Sequence, residues 1–415
     1  MREFVITKEF SGTLEIENNK LENIRCVYKD DYYSNKIMKG TFYLNEDQSS
    51  IELIKTPFQS FVFFDMSGRT LKGDITGMNH GHDYNDRFFK LNFKLNDFLH
   101  RYKLKDSEKE KLQILFHIPY IMDLSRHVIY SYDLSPDYIF KFNSNPFKIV
   151  LNDLIFEFYE KVYCRDYNEP DSIFTRELFI KALIDIGYKD VEGVINSYKL
   201  IVDDIMLIIS FLLNHRMTSF GYNAELFDNE NNLIETIEHK NSSKPCGKDC
   251  LKKSGDKYLK FFTEENLSNL IEAFQNKTRH DKKNITKLLY KFLILKETEI
   301  FQAKFLSGYV LLESISKFIV KPTSNTKNEQ LIKDAIKMSN IEIEDFEISR
   351  HRKKKPSSQN EFEITEYRDE LIHFNNQEFS GHSMWVEYQK IVKVCRKLLL
   401  WIILPDLSNW GIPEK

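Results

Sequence analysis

The chain has 415 residues, of which 42% are hydrophobic and 29% charged, and at about 150 residues per domain it can form two or three folded domains. Aromatic residues are abundant, whereas only 14 glycines and 10 prolines occur, a balance that argues against long disordered segments. The net charge of −3 excludes a basic surface over the whole chain, so any nucleic-acid binding requires a local patch.

The sequence predicts a soluble cytoplasmic protein. Its N-terminus lacks the apolar core of a signal peptide, and no stretch reaches the ~18 uninterrupted apolar residues of a membrane span. The most apolar segment, 201–215, contains Asp203 and Asp204 and is therefore predicted to be a buried helix. Five scattered cysteines, an odd number, favour a reducing compartment over a secreted disulfide scaffold.

Short segments of alternating polar and apolar residues recur through the first 150 residues and predict strands. Turn-forming residues separate several of them, including Asn18 and Asn19. Short strands at this spacing predict a β-rich N-terminal domain that is a sandwich or is barrel-like. The segments are 13–17, 24–28, 40–44, 50–54, 61–64 and 89–95.

Residues 151–238 have a mixed pattern and are predicted to extend the N-terminal region with both helices and strands. Segments 176–183 and 202–215 are predicted to be helices, and 224–228 to be a strand. The polar stretch 239–257, which is rich in lysine and serine, predicts a linker between domains.

Residues 258–415 have the apolar spacing of helices, so the whole chain is predicted to be α+β. Leu288, Phe292 and Leu295, followed by a stripe from Phe301 to Leu312, predict one long helix or two stacked helices over 284–320. A further amphipathic helix runs from Trp385 to Ile402 and is ended by Pro405. Between these helices, 321–363 is predicted to be a looser insert.

The strongest chemical signal is the segment 367–373, which contains Arg368, Asp369 and His373. A guanidinium is permanently charged and its planar fork suits a phosphate, and an imidazole exchanges protons near neutral pH. These are the groups needed to cut RNA, because the ribose 2′-OH supplies the nucleophile and no metal or cofactor is required.

Helical geometry relates the three residues. Asp369 and His373 are four residues apart and lie on one helix face, so the carboxylate can orient the imidazole. Arg368 and His373 are five apart, about 140° around the helix, and flank a site from two sides. A complete site is therefore expected to need a second copy of the chain, placed by two-fold symmetry.

The pattern Arg-[Asn/Asp/His]-x-x-x-His on a late helix resembles the HEPN superfamily, and Arg368, Asp369 and His373 match it position by position. The segment 308–313 resembles the earlier helix on which that family often carries an acidic residue, with Glu313 in the acidic place. The resemblance covers about residues 255–410 and implies an all-α bundle. From Phe10 to Leu14 onward, the N-terminal region resembles in general layout the N-terminal domain of ApeA-type anti-phage proteins.

The resemblance implies a metal-independent endoribonuclease that acts as a homodimer on tRNA or another cellular RNA, in abortive infection or as a toxin. The N-terminal region would then be the sensor of a phage or protein trigger. The alternative is a non-catalytic, dimerising helical scaffold that binds RNA, a nucleotide or a protein partner. The intact Arg-Asp-x-x-x-His set favours the enzyme.

A cationic run close to this motif is a second candidate for RNA contact. Five fixed positive charges occur within six residues and could follow a phosphate backbone. The alternative is a solvated loop, which most charge runs are. The cations are Arg350, Arg352, Lys353, Lys354 and Lys355.

Metal sites are weaker hypotheses. Cys246 and Cys250, with His239 upstream, have a loose zinc-ligand spacing, but a fourth ligand is not evident, so a polar linker with two thiols is favoured. His80, His82 and Asp83 are interpreted as turn formers in a loop. The remaining zinc-ligand candidates are His280 and Cys164, which are distant in sequence. His382, nine residues after His373, could assist in the active site, but it is expected to lie near a helix start without a catalytic role.

Overall fold

The computed structural model gives a mixed α+β protein, as the sequence predicts, with an antiparallel β region followed by a helical region. The chain divides into two compact units, Met1–Met206 with Met217–Lys253, and Leu207–Arg216 with Ser254–Lys415. The structure describes residues 5–16, 19–31, 39–45, 60–65, 67–83, 86–119, 121, 139–140, 147–165, 173–187, 189–241, 263–298, 300–322, 326–340, 363–373 and 381–405.

The first six strands form a closed antiparallel barrel. Their order is β3-β2-β1-β4-β5-β6, and β6 also pairs with β3, which closes the ring. The eighteen-residue β6 makes this possible, because its residues 88–94 pair with β3 while 97–103 pair with a later strand. The strands are β1 (Val5–Ile16), β2 (Asn19–Asp31), β3 (Lys39–Asn45), β4 (Ser60–Asp65), β5 (Arg69–Asp83) and β6 (Asp86–Lys103).

Period-two alternation fills the barrel with aromatic and aliphatic side chains. The Phe42 ring lies 4.3 Å from that of Phe93 and 4.9 Å from that of Phe61, centroid to centroid. At Gly12 the β1–β2 register shifts, and a Cβ there would lie 2.1 Å from the Phe64 carbonyl oxygen, so only glycine fits. The predicted strands at 13–17, 24–28, 40–44, 61–64 and 89–95 coincide with strands of this barrel, except that residue 17 and the predicted strand 50–54 lie outside the described residues.

Seven further strands continue the sheet from β6 in the order β13-β12-β7-β11-β10-β8, with β9 also paired to β10. Helix α1 (Val191–Leu213) packs on this part through Tyr198, whose ring lies 5.8 Å from that of Phe156. The strands are β7 (Lys111–Ile118), β8 (Ile139–Phe140), β9 (Phe147–Leu151), β10 (Leu154–Arg165), β11 (Ile173–Asp185), β12 (Gly221–Phe227) and β13 (Leu233–Asn241).

The predicted helix at 176–183 is wrong, because these residues belong to β11, which pairs with β7 on one side and β10 on the other. Ile180, Ala182 and Ile184 are buried and alternate with exposed or half-buried residues, which is the period of a strand. The helix over 202–215 and the strand over 224–228 are confirmed by α1 and β12. Strand β13 continues to Asn241, three residues into the segment predicted as linker.

The helical unit is organised around one central helix, α4, which packs against α3, α5, α6 and α7. Two helices, α3 and α4, occupy the stretch predicted as one long or two stacked helices, and α5 lies within the predicted insert 321–363. The helices are α2 (Glu264–Gln275), α3 (Arg279–Glu297), α4 (Phe301–Val320), α5 (Asn328–Met338), α6 (Glu363–His373) and α7 (Gly381–Ile403).

Glycine allows α4 and α7 to approach closely. A Cβ at Gly308 would make ordinary van der Waals contacts, 3.4 Å from a methyl of Ile391 and 3.5 Å from the Tyr388 ring, so alanine would fit and a longer side chain would meet α7. In the part of the chain that the structure describes, no helix is both long and apolar enough to cross a membrane.

Arg396, on α7, holds the last turn of α1 within the helical unit. Its side chain is only 6% exposed, and its Nη2 donates to the carbonyl oxygens of Phe211 at 3.2 Å and Leu212 at 2.6 Å. Carbonyls at a helix C-terminus have no partner inside the helix and attract a cation, so the buried guanidinium satisfies both groups.

Replacing Arg396 with methionine keeps an apolar stem but removes the donor to the Leu212 carbonyl, whereas the Phe211 carbonyl still accepts from the Asn214 N–H at 3.3 Å. We expect Arg396→Met to lower the free energy of unfolding of the helical unit by about 1–3 kcal/mol. Urea denaturation followed by far-ultraviolet circular dichroism measures the change. Gln389→Met, at an exposed position of the same helix, is the control and should change it by less than about 0.5 kcal/mol. Equal effects of the two substitutions would contradict the capping role.

Candidate active site

Helix α6 presents its apolar face to α4 and thereby fixes the position of Arg368. Ile364 and Tyr367 are buried, and the Tyr367 ring meets that of Phe305 edge to face at 6.1 Å. Arg368 follows Ile364 by one helical turn, so it lies at the margin of this buried face. The packing therefore directs a guanidinium to the surface between the two helices.

Tyr309 of α4 forms the floor beneath Arg368. The tyrosine is 1% exposed, and the Arg368 guanidinium carbon lies 5.7 Å from the centre of its ring, within range of a cation–π contact. Its hydroxyl lies 3.4 Å from the Thr365 hydroxyl, nearly one turn before Arg368. Burial raises the pKa of Tyr309 above its ordinary value, so the phenol stays neutral at physiological pH.

Arg368 is paired with the carboxylate beside it. Its Nη1 donates to Asp369 Oδ1 at 2.5 Å, and the two side chains are 31% and 35% exposed. The hydrogen bond from Arg368 to Asp369 raises the pKa of Arg368, although partial burial opposes this, and Tyr309 and Glu313 act in the same direction as Asp369. The guanidinium is therefore permanently charged and accessible to an anion from solvent.

Glu313 lies one turn after Tyr309 on α4 and belongs to the same group of side chains. It is close enough to Arg368 to stabilise its charge, and it accepts a hydrogen bond from Lys317 Nζ at 2.5 Å. The structure thus brings together three of the four predicted catalytic residues, Arg368, Asp369 and Glu313. In the structure Asp369 accepts a hydrogen bond from Arg368, which the sequence did not predict.

His373 is the last residue of α6, one turn beyond Asp369, and its place on the helix confirms the predicted backbone spacing of Arg368, Asp369 and His373. The predicted RNA-binding residues lie outside the described residues, as do Cys246 and Cys250. They are Arg350, Arg352, Lys353, Lys354 and Lys355.

The other metal candidates are found in secondary structure. His239 lies in β13, where its Nε2 is 2.7 Å from Asp97 Oδ1 and its ring stacks on that of Tyr222. Residues 80–83 were predicted to be a loop and instead belong to β5, paired with β6. Among the described residues, no three His, Cys, Asp or Glu side chains are placed to hold a metal ion.

The remaining candidates also have defined places. His280 lies in the first turn of α3, where its Nε2 is 3.0 Å from Asn284 Nδ2. Cys164 is in β10, opposite Phe174 of β11. His382 is the second residue of α7, which confirms that it is near a helix start.

Tyr309 and Thr365 were not predicted as part of the site. The signal that could have found Tyr309 is its distance of four residues from Glu313, because residues four apart on a helix share a face. No spacing in the sequence connects Thr365 with Tyr309. The two residues meet only because α6 packs on α4.

The chain matches no protein-family model, no characterised protein and no solved structure. What the site does is therefore inferred from the side chains on α4 and α6 and from the Arg-Asp-x-x-x-His pattern.

The Tyr309 ring, rather than its hydroxyl, is expected to hold α6 against α4. We predict that Tyr309→Ala lowers the free energy of unfolding of the helical unit by about 3–5 kcal/mol, because a buried aromatic ring leaves a cavity. Tyr309→Phe, the matched control, should cost no more than about 1 kcal/mol, since the hydroxyl contact is long. Urea denaturation compares the two, and a similar loss in both would contradict the prediction.

Proposed function

We propose that the helical unit is a HEPN-type endoribonuclease that cuts RNA without a metal ion. The observation that carries the proposal is the grouping of Arg368, Asp369 and Glu313 where α6 packs on α4, with His373 one turn further along α6. A permanently charged guanidinium at a partly exposed position suits a phosphate, and the neighbouring histidine supplies a group that exchanges protons at neutral pH.

The reaction begins when the ribose 2′-OH loses its proton and attacks the adjacent phosphorus. His373 of one copy takes this proton as the general base, and His373 of the second copy gives a proton to the departing 5′-oxygen as the general acid. Arg368 stabilises the charge on the phosphorane. The new bond joins the 2′-oxygen to phosphorus and the broken bond joins phosphorus to the 5′-oxygen, so the products carry a 2′,3′-cyclic phosphate and a 5′-OH.

The ion pair between Arg368 and Asp369 has a consequence for this reaction. A substrate phosphate must compete with the Asp369 carboxylate for the guanidinium. Because both side chains are about one third exposed, the pair contributes at most about 1 kcal/mol, and a phosphate can displace it. Once displaced, Asp369 is available to His373, four residues further along the helix.

We propose that the helical units form a homodimer in which Arg368 and His373 of both copies act together. Arg368 and His373 are five residues apart on α6, about 140° around the helix, so one copy is proposed to supply half of a composite site. Val310 on α4 and Ile372 on α6 are exposed apolar residues beside the site residues and support a contact with a second copy. The β-rich unit is proposed to sense a trigger in phage defence or toxin control.

Cleavage of RNA by purified protein with EDTA present tests the proposal. Wild type is expected to cut, and His373→Ala to lower the rate by about 10²–10⁴-fold, since a general acid or base is lost. Arg368→Lys should also lower the rate, because lysine keeps the charge without the planar fork. End-group analysis should find cyclic phosphate and 5′-OH termini.

His280→Ala is the matched control, because His280 is an exposed histidine of the same unit and its side chain contacts Asn284. Equal cleavage by wild type and His373→Ala, or loss of cleavage on chelation, would contradict the mechanism. If wild type is inactive alone and with extract of phage-infected cells, a non-catalytic scaffold that binds RNA, a nucleotide or a protein is favoured.

Asp369→Asn is expected to affect RNA binding and RNA cleavage in opposite directions. Removing the carboxylate frees Arg368, so in a His373→Ala background we expect RNA affinity to rise by about 2–5-fold. In the otherwise wild-type protein we expect cleavage to fall, because the neutral amide that replaces the carboxylate cannot support a charged imidazole. Fluorescence anisotropy and single-turnover cleavage measure the two effects. Asp334→Asn on α5 removes the same charge elsewhere and should change neither.

A further inference from the structure

Helix α3 has a charge opposite to that of the chain as a whole. Its nineteen residues contain six lysines or arginines and two acidic residues, whereas the full chain has a net charge of −3. This local excess is the kind of patch that a chain without overall positive charge needs for nucleic-acid binding. It lies outside the cationic run at 350–355.

The cations of α3 include a regular stripe on its solvent face. Lys283, Lys287 and Lys291 are exposed and follow each other at intervals of four residues, so the stripe advances by ~6 Å per lysine along the helix. The opposite face is buried against the other helices. Its apolar residues are Ile285, Leu288, Leu289, Phe292, Leu293 and Leu295.

The stripe is not neutralised within the part of the chain that the structure describes. There, no carboxylate forms an ion pair with Lys283, Lys287 or Lys291, in contrast to Lys317, which pairs with Glu313 on α4. Like charges four residues apart on a helix repel and destabilise it by a few tenths of a kcal/mol per pair. The arrangement thus does not stabilise the fold and is suited to an anionic partner.

An aromatic side chain lies within the stripe. Tyr290 is 38% exposed and stands beside Lys291 and three residues after Lys287. Surfaces that bind single-stranded nucleic acid combine cations, which follow the phosphates, with aromatic rings, on which bases stack. Tyr290 and the three lysines supply both elements on one helix face.

We propose that Lys283, Lys287, Lys291 and Tyr290 bind the backbone and one base of the single-stranded RNA that the site on α4 and α6 cuts. This inference rests on the proposed function for the choice of RNA as the ligand. Helix α4 packs against both α3 and α6, so the helix that carries the stripe and the helix that carries Arg368 share one neighbour in the helical unit.

A membrane is a poorer partner for this face. Helices that lie on anionic membranes insert an apolar face beside their cations. The apolar face of α3 is already buried in the helical unit and cannot insert without unfolding it.

The test uses full-length protein with His373→Ala, which is expected to bind RNA without cutting it. Fluorescence anisotropy measures the affinity for a fluorescein-labelled single-stranded RNA over a range of KCl concentrations. Each phosphate contact contributes about 0.7 to the slope of log affinity against log salt for a single strand. We expect the combined substitution of Lys283, Lys287 and Lys291 by glutamine to reduce this slope by about 2.

A matched triple substitution by glutamine at Lys321, Lys327 and Lys337 removes the same charge from other exposed positions of the helical unit and should leave the slope nearly unchanged. Tyr290→Leu should weaken binding without changing the slope, because stacking releases no counterions. Circular dichroism checks that each variant remains helical, which glutamine favours.

The outcomes separate this proposal from the proposed function. The proposal that the α3 lysines bind RNA is overturned if the salt slope falls equally in the two triple variants or does not fall in the α3 variant. It is also overturned if the His373→Ala protein does not bind RNA. Binding to vesicles of anionic lipid that depends on the three lysines, with RNA binding unchanged, overturns it in favour of a membrane. If the α3 variant loses slope as expected but wild type cuts no RNA, the stripe stands and the nuclease does not.

Discussion

The close packing of α4 on its neighbours is the constraint on which the helical unit depends. Gly308 and Tyr309 are consecutive, so their positions differ by about 100° around the helix. Gly308 admits α7 to within van der Waals contact, and Tyr309 supports Arg368 of α6. The space at Gly308 admits α7, and the Tyr309 ring supports α6. The position of Arg368 in the proposed active site therefore depends on Tyr309.

Two arginines of the helical unit, Arg396 and Arg368, have different surroundings. Arg396 is buried, donates to two carbonyl oxygens and contributes stability. Arg368 is partly exposed and is paired with the carboxylate of Asp369. The difference follows from solvent, since a buried cation needs fixed partners whereas an exposed one exchanges them. Lys283, Lys287 and Lys291 on α3 and Lys317 on α4 are all exposed, and within the described residues only Lys317 among these four forms an ion pair with a carboxylate.

The β-rich unit is built on a different principle. Its barrel closes because β6 is long enough to pair with β3 along one part and with β13 along the next. The wide sheet and the barrel therefore share one strand, and the barrel core is continuous and rich in phenylalanine. A closed ring removes the free strand edges at which chains associate, which leaves the barrel's outer surface and the sheet to bind a trigger in the proposed scheme.

The sequence by itself determined the elements whose periodicity is strong and local. These are the alternating strands of the barrel, the helices α1, α3, α4 and α7, and the spacing of Arg368, Asp369 and His373 along α6. Tertiary structure alone decided that 176–183 is a strand, because pairing with β7 and β10 outweighs the helix propensity of its Glu, Leu, Lys and Ala residues. It also decided that Asp369 pairs with Arg368 and that Thr365 meets Tyr309. Such contacts depend on rotamers and on the approach of two helices, which residue spacing does not specify.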